Sequence, residues 1–237
     1  MEKMEEMRAG GYLPASFLDW EGHVAAVIFT CGCNFRCPWC QNTEIIFPDA
    51  EADYTADEIL SFLKKRRGIL EGVCITGGEP TMQSDLPDFI RSIKEMGFLV
   101  KLDSNGYLPD RLISLCQSGL LDYVAMDIKA GPGNYAAVAG LSSIQIERIQ
   151  ESIQFLLSGS IPFEFRTTAV KGLHAIEDFQ EIGPWIKGCS RYFIQNFKES
   201  EAVPVKGFSG FSKEELETFS DCVAPFVQLV ELRGIDF

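Results

Sequence analysis

The feature that most constrains this chain is Cys33-Asn-Phe-Arg-Cys37-Pro-Trp-Cys40, three cysteines at C-x3-C-x2-C spacing within residues 30–42. A strand alternates its side chains between two faces, and this spacing follows no single face of a helix. It suits a loop that turns three thiolates inward around one soft metal centre. Thiolates select zinc or iron–sulfur clusters, and structural zinc closes with four protein ligands. Cys31 is a candidate fourth ligand, but C-x-C-x3-C-x2-C has no zinc rationale, and His23 and His174 are the two histidines of the chain. Three cysteines without an obvious fourth partner fit a [4Fe–4S] cluster with one iron left open. Zinc, or a coincidental group of buried thiols, is the competing reading.

The loop directly follows a short, fully apolar, β-rich run at residues 24–29. Such a run suits a strand covered on both faces, as in a parallel sheet. Further runs of this kind lie at 73–76, 98–103, 122–126, 163–170 and 192–197, with an edge-strand candidate at 227–232. Helices are expected over 55–67, 85–96, 109–117, 144–157, 177–186 and 212–223. Thr55-Ala-Asp-Glu58 and Ser212-Lys-Glu-Glu215 read as capping boxes, with Gly68 and Gly97 as stops. Strands alternating with helices imply βαβ units. Six units are two short of a closed barrel. The expected fold is therefore α/β: a partial (β/α)6 TIM-like barrel, a parallel sheet with outer helices. Residues 1–22 are polar and irregular and read as an N-terminal arm or lead-in loop, with 23–237 as a single domain.

Each of the first four expected strands ends in unusual polar residues. After the cysteines come Gly77-Gly78-Glu79-Pro80, then Ser104-Asn105, then Asp127 and Lys129. In parallel α/β folds the carboxyl ends of strands gather on one rim, where sites are built; ordinary turn chemistry is the plainer explanation for any single loop. Two glycines let the backbone pass close to a ligand, and Glu79 would offer a carboxylate to a cationic group. Arg166 lies mid-strand, where an unpaired guanidinium is costly. Either an acid such as Glu164 or Asp127 pairs with it, or a ligand anion does.

Together, Gly-Cys33-Asn-Phe-Arg-Cys37-Pro-Trp-Cys40-Gln-Asn and these later loops resemble the radical S-adenosylmethionine (SAM) superfamily. Within it they are similar to the activating enzymes of glycyl-radical proteins, nearest those of anaerobic ribonucleoside-triphosphate reductase, with those of pyruvate formate-lyase also near. The likeness covers roughly residues 22–197. It implies that Cys33, Cys37 and Cys40 hold a [4Fe–4S] cluster whose fourth iron takes the amino and carboxylate groups of SAM. Gly77, Gly78 and Glu79 would face the SAM ammonium. Ser104, Asn105 and Lys129 would hold its methionine or ribose part, Arg166 its carboxylate, and Trp39 and Gln195 its adenine. Asp103 and Asp127, with the Met126 carbonyl, would bind a monovalent cation near the sulfonium.

The same resemblance implies reductive cleavage of SAM to methionine and a 5′-deoxyadenosyl radical. Flavodoxin or ferredoxin would supply the electron, and a backbone glycine of a glycyl-radical enzyme would give up hydrogen. Three departures leave the substrate open. Gln41 stands where the pyruvate formate-lyase type usually has histidine, Gln195 stands where histidine often meets adenine, and Asp19-Trp-Glu-Gly22-His23 only loosely matches Asp-Gly-Pro-Gly. The alternatives are a radical SAM enzyme acting on a small molecule or peptide, of the deazaguanine-forming type, and a non-catalytic zinc-binding interaction module. Cysteines are absent between Cys40 and Gly77, so no ferredoxin-like insert is expected; Cys31, Cys74, Cys116, Cys189 and Cys222 read as structural.

A net charge of −13 argues against a nucleic-acid partner gripped by its phosphates; solubility is its plainer reading, and electrostatic selection of a protein partner with a basic patch the sharper one. No apolar run approaches the length of a membrane span. The opening Met-Glu-Lys-Met-Glu-Glu is charged and unlike a signal sequence. Reduced thiols and a cluster both need a reducing compartment, so a cytoplasmic location is expected.

Overall fold

The computed structural model describes residues 7–47 and 49–235; the charged opening six residues lie outside that range. Nine strands form one sheet: β1 (Arg8–Ser16), β2 (Ala25–Thr30), β3 (Tyr54–Thr55), β4 (Gly72–Gly77), β5 (Leu99–Ser104), β6 (Tyr123–Asp127), β7 (Phe163–Ala169), β8 (Tyr192–Asn196) and β9 (Val230–Arg233). Their order is β3-β1-β2-β4-β5-β6-β7-β8-β9. From β2 to β9 every neighbouring pair is parallel, so the residues that end each strand share one rim. Among the described residues the sheet stays open, with β3 and β9 as its edges.

The expected partial barrel is thus present, and the edge-strand candidate near the C-terminus is a seventh parallel strand, β9. The stretch read as an arm or lead-in loop differs. Within it, β1 pairs antiparallel with β2, with register shifts between Ala9 and Gly11 and between Leu13 and Ser16. Gly10, Gly11 and Pro14 give this strand a loop-like composition. The open edge of β2 supplies the hydrogen-bond partners that make it a strand.

Seven helices connect the strands: α1 (Ala56–Lys64), α2 (Leu86–Glu95), α3 (Pro109–Gln117), α4 (Tyr135–Val138), α5 (Ile146–Leu157), α6 (Ile176–Trp185) and α7 (Lys213–Val223). Both expected capping boxes form: Thr55 with Glu58 opens α1, and Ser212 with Glu215 opens α7, each contributing about 1 kcal/mol. α2 shows how the helices cover the sheet. It buries Leu86, Phe89, Ile90 and Ile93, an i, i+3, i+4, i+7 stripe. Each large side chain so buried contributes roughly 1.5–3 kcal/mol. Packing of this kind fixes the strands beneath, and with them the rim loops.

Candidate functional site

The rim loops enclose a cavity of about 290 Å³ lined by Cys33, Cys37, Trp39, Cys40, Gly77, Gly78, Glu79, Ser104, Asn105, Lys129, Arg166 and Gln195, with Asp103 and Asp127. All twelve residues expected at the cluster and SAM sites therefore converge on one space. Cys31 does not line it; its Sγ lies 3.9 Å from the Glu51 carbonyl, on the side of Gly10.

The cysteine loop is shaped by its own backbone. Phe35 N–H donates to Cys33 Sγ at 3.4 Å and Asn42 N–H to Cys40 Sγ at 3.3 Å, bonds that favour sulfur in its anionic form. Burial opposes this, pushing the free thiols of Cys33 up to about 12 and of Cys37 to about 11. A cationic centre must therefore drive the protons off. Among the described residues no three His, Cys, Asp or Glu side chains converge on a single ion position. Three cysteine sulfurs line one cavity, a donor set that suits an iron–sulfur cluster. Asn34 Nδ2, inside the loop, is buried without a protein partner, as expected where an acceptor belongs to a bound group. On these counts the residues present fit a [4Fe–4S] cluster.

The two glycines line the cavity and also pack closely against β2 and the cysteine loop. A Cβ on Gly77 would meet Thr30 N at 2.4 Å, and one on Gly78 would meet Gly32 O at 2.0 Å. Gly77 also has φ +107, open to glycine alone at little cost. The close approach is to the cysteine loop itself. Gly78 N–H donates to Thr30 O and Glu79 N–H to Gly32 O, both at 2.8 Å, and Asn42 Nδ2 donates to Gly77 O at 2.9 Å.

Glu79 is buried and binds the loops together. Its Oε1 accepts from Thr81 N–H (3.1 Å), the Thr81 hydroxyl and Ser104 Oγ (2.9 Å), and its Oε2 accepts from Asn105 N–H (2.7 Å). Burial nonetheless raises its pKa, against those hydrogen bonds. Ser104 Oγ also accepts from Gly106 N–H. Asn105 Nδ2 donates to Asn34 Oδ1 at 2.8 Å, tying the third rim loop to the cysteine loop. Trp39 is buried, donates from Nε1 to Val138 O at 3.2 Å, and carries Lys129 Nζ 5.2 Å from its ring centroid.

Five charged side chains cross the cavity floor. Lys101 Nζ lies 3.0 Å from Asp103 Oδ1 and Arg166 Nη2 lies 2.9 Å from Asp103 Oδ2. Arg166 Nε pairs with Asp127 Oδ1, and Lys129 Nζ lies 2.9 Å from Asp127 Oδ2. Burial alone would raise both carboxyls. Arg166, with Lys101 at Asp103 and Lys129 at Asp127, outweighs it and holds both below the usual carboxylate range. Around Asp103 and Asp127, where a monovalent cation was expected, Arg166, Lys101 and Lys129 pair with the two carboxylates. Of the two acids considered for Arg166, Asp127 is a partner, whereas Glu164 faces Tyr123 and Arg233.

Some contributors were not singled out from the sequence. Lys101 is almost fully buried; a lysine in the middle of an apolar strand was its signal. His174 is buried and its Nε2 meets Lys129 O at 2.7 Å, bracing the Lys129 loop. Asp178 accepts from Gly131 N–H in the same turn. A second cavity of about 640 Å³ adjoins the first. Leu18, Asp19, Trp39 and Gln41 line one side, and residues from β7 to β9, including Thr168, Gln195, Arg233 and Gly234, line the other. The loops after β1 and β2 thus face the β7–β9 end of the sheet across a lateral gap. Gln195 lies on that gap, beside its register partner Thr168.

The model of the radical SAM superfamily matches residues 27–182. This chain belongs to that superfamily. It is 33% identical over 235 residues, 95% of each chain, to a Methanocaldococcus jannaschii protein named "Putative glycyl-radical enzyme activating enzyme". It is 27% identical over 136 residues to the 7-carboxy-7-deazaguanine synthase of Thermoplasma acidophilum, covering 56% of this chain and 60% of that one. Among solved structures, Streptococcus suis SuiB bound to S-adenosylmethionine superposes with a TM-score of 0.69 at 14% identity, over 88% of this chain and 50% of that one. The radical SAM fold carries a [4Fe–4S] cluster and SAM, the donor set assembled here. Among the described residues no helix is long and apolar enough to cross a membrane.

Proposed function

We propose that this chain is an activating enzyme that removes hydrogen from a backbone glycine of a partner protein. The observation that carries the reading is the lateral cavity. It shares Asp19, Trp39, Gln41, Arg166, Thr168 and Gln195 with the SAM cavity, so an extended segment entering between the sheet ends reaches the reacting centre. The end-to-end likeness to a relative with an activating-enzyme name supports it.

In this reading Cys33, Cys37 and Cys40 hold the cluster, and SAM fills the 290 Å³ cavity. When bound, the cluster supplies the electron that cleaves SAM at its S–C5′ bond. The chain's own residues position and shield. Arg166 and Lys129 meet the SAM carboxylate, and Glu79 Oε2 keeps a lone pair for its ammonium. Ser104 and Asn105 spend their side chains on loop geometry, so they act through Glu79 and the cysteine loop. Trp39 and Gln195 border the adenine. Flavodoxin or ferredoxin is the proposed electron donor, the cytoplasm the proposed compartment, and anaerobic ribonucleotide reductase the first partner to try on motif likeness.

The test is anaerobic reconstitution with dithionite, SAM and a glycyl-radical protein from the same genome. Formation of 5′-deoxyadenosine together with a partner-borne glycyl radical, lost when the partner's radical glycine becomes alanine, is expected. Abundant 5′-deoxyadenosine without any radical on such partners would refute the assignment. A small-molecule substrate is the second reading, supported by the deazaguanine synthase likeness; SAM-dependent formation of 7-carboxy-7-deazaguanine would establish it.

A further inference from the structure

Beside the lateral cavity the chain displays apolar side chains that nothing in the fold covers. Within residues 13–18, Leu13 is 44%, Phe17 73% and Leu18 90% exposed. The intervening Pro14 and Ala15 are exposed as well. β3 pairs with β1 only at Arg8 and Ala9, so beyond Ala9 the outer edge of β1 has no strand partner among the described residues. Pro14 lacks an N–H and interrupts that edge, which discourages addition of another strand. Whatever binds here does so through side chains.

The apolar tip is held firmly. Leu18 N–H and Asp19 N–H donate to Ser16 Oγ at 3.1 and 3.3 Å. Lys101 Nζ reaches out of the barrel floor to Asp19 O at 2.6 Å. Trp20 is buried next to Gly72, where a Cβ would meet its ring at 2.8 Å, and Glu21 pairs with Arg191. A braced loop that shows large apolar side chains to water has its ordering entropy already spent, which favours binding. Leu18 is also a wall of the 640 Å³ cavity, so the exposed strip and the cavity are one continuous surface.

We propose that residues 13–18 are the docking surface for the protein substrate, whose extended loop enters the adjoining cavity. This deepens the activating-enzyme reading and rests on it. A small molecule seated in the cavity has no use for Leu13 and Phe17 on the outside. A second copy of the chain is opposed by −13 charges on each molecule. The partner therefore offers an apolar recess, and a basic rim to match the net negative charge of this chain.

The test is the double variant Leu13→Ser/Phe17→Ser. Neither side chain lines the SAM cavity, and both are exposed, so the fold and SAM cleavage without partner stay at wild-type levels. With a glycyl-radical protein from the same genome, the partner KM rises about tenfold or more while kcat holds, the pattern of a lost docking contact. An unchanged partner KM, with radical formed as in wild type, overturns the docking role and leaves the activating reading intact. Self-association of wild type that the variant abolishes, with partner KM unchanged, assigns the strip to a second copy and overturns the proposal as well. Wild type that makes 5′-deoxyadenosine but never a partner radical removes both readings.

Discussion

Gly78→Ala is the sharpest probe of how the rim is built. Gly78 does not have a positive φ, so alanine brings no backbone strain there; the cost is contact alone. The added Cβ would lie 2.0 Å from Gly32 O and 2.7 Å from Gly32 C. Both are backbone atoms of the cysteine loop and cannot rotate away. The two loops must separate by about 1 Å before the contact becomes tolerable. That separation stretches Gly78 N–H to Thr30 O and Glu79 N–H to Gly32 O, each now 2.8 Å. Two buried backbone bonds weakened or lost cost roughly 1–2 kcal/mol each. For a domain of this size that lowers Tm by roughly 4–16 °C. The displacement also moves Cys33 relative to Glu79, so SAM-dependent 5′-deoxyadenosine formation falls further than stability alone requires. Gly11→Ala is the control, because a Cβ there meets nothing within 4 Å, and it stays at wild-type levels. Thermal melts and product assays on the reconstituted proteins read both. A Gly78→Ala protein that melts and turns over like wild type would refute the claim that these loops are mutually packed.

Other perturbations separate the remaining roles. Cys37→Ser loses iron and sulfide and all SAM cleavage, whereas Cys31→Ser keeps them, since Cys31 lies off the cavity; iron analysis and product assays decide. Arg166→Met leaves Asp103 with Lys101 and Asp127 with Lys129 alone and costs roughly 1.5–3 kcal/mol in chemical denaturation. Arg166→Lys recovers only part of that, because one ammonium cannot span both carboxylates. The lowered carboxyls of Asp103 and Asp127 contribute stability that is present above the ordinary carboxylate range near pH 4 and lost as pH falls toward their folded values. Asp127→Asn should flatten the acid limb of a Tm-against-pH curve, and an unchanged limb would remove Asp127 from that account.

Much of this was legible because the signals were local. Apolar runs marked the strands, capping boxes marked α1 and α7, and cysteine spacing marked the centre. Each depends on neighbours within a few residues. What the sequence hid depends on partners far along the chain. β1 looks like a loop until the free edge of β2 is placed beside it. The glycines after β4 looked ready for a ligand, yet their nearest atoms belong to the cysteine loop more than forty residues earlier. Lys101 sits in an apolar strand; Asp103 shares its face two residues on, but the Asp19 carbonyl comes to it from the loop after β1. Asp103 and Asp127 read alone suggest a cation, and the partner they share, Arg166, comes from β7, far along the chain.

The distribution of hydrogen bonds in the rim bears on what the site is built for. Glu79, Ser104 and Asn105 satisfy one another and the cysteine loop before any ligand arrives, and Asp103 and Asp127 are paired across the floor. A site so assembled does not need its ligand in order to take shape, and its polar groups lose little freedom on binding. The lateral gap is different: Thr168 and Gln195 face it as register partners, and none of their side-chain polar atoms has a protein partner among the described residues. A fixed inner pocket opening onto a wall with uncommitted hydrogen-bonding groups is the arrangement expected when one ligand is constant and the second is a separate molecule that must be admitted and aligned beside it.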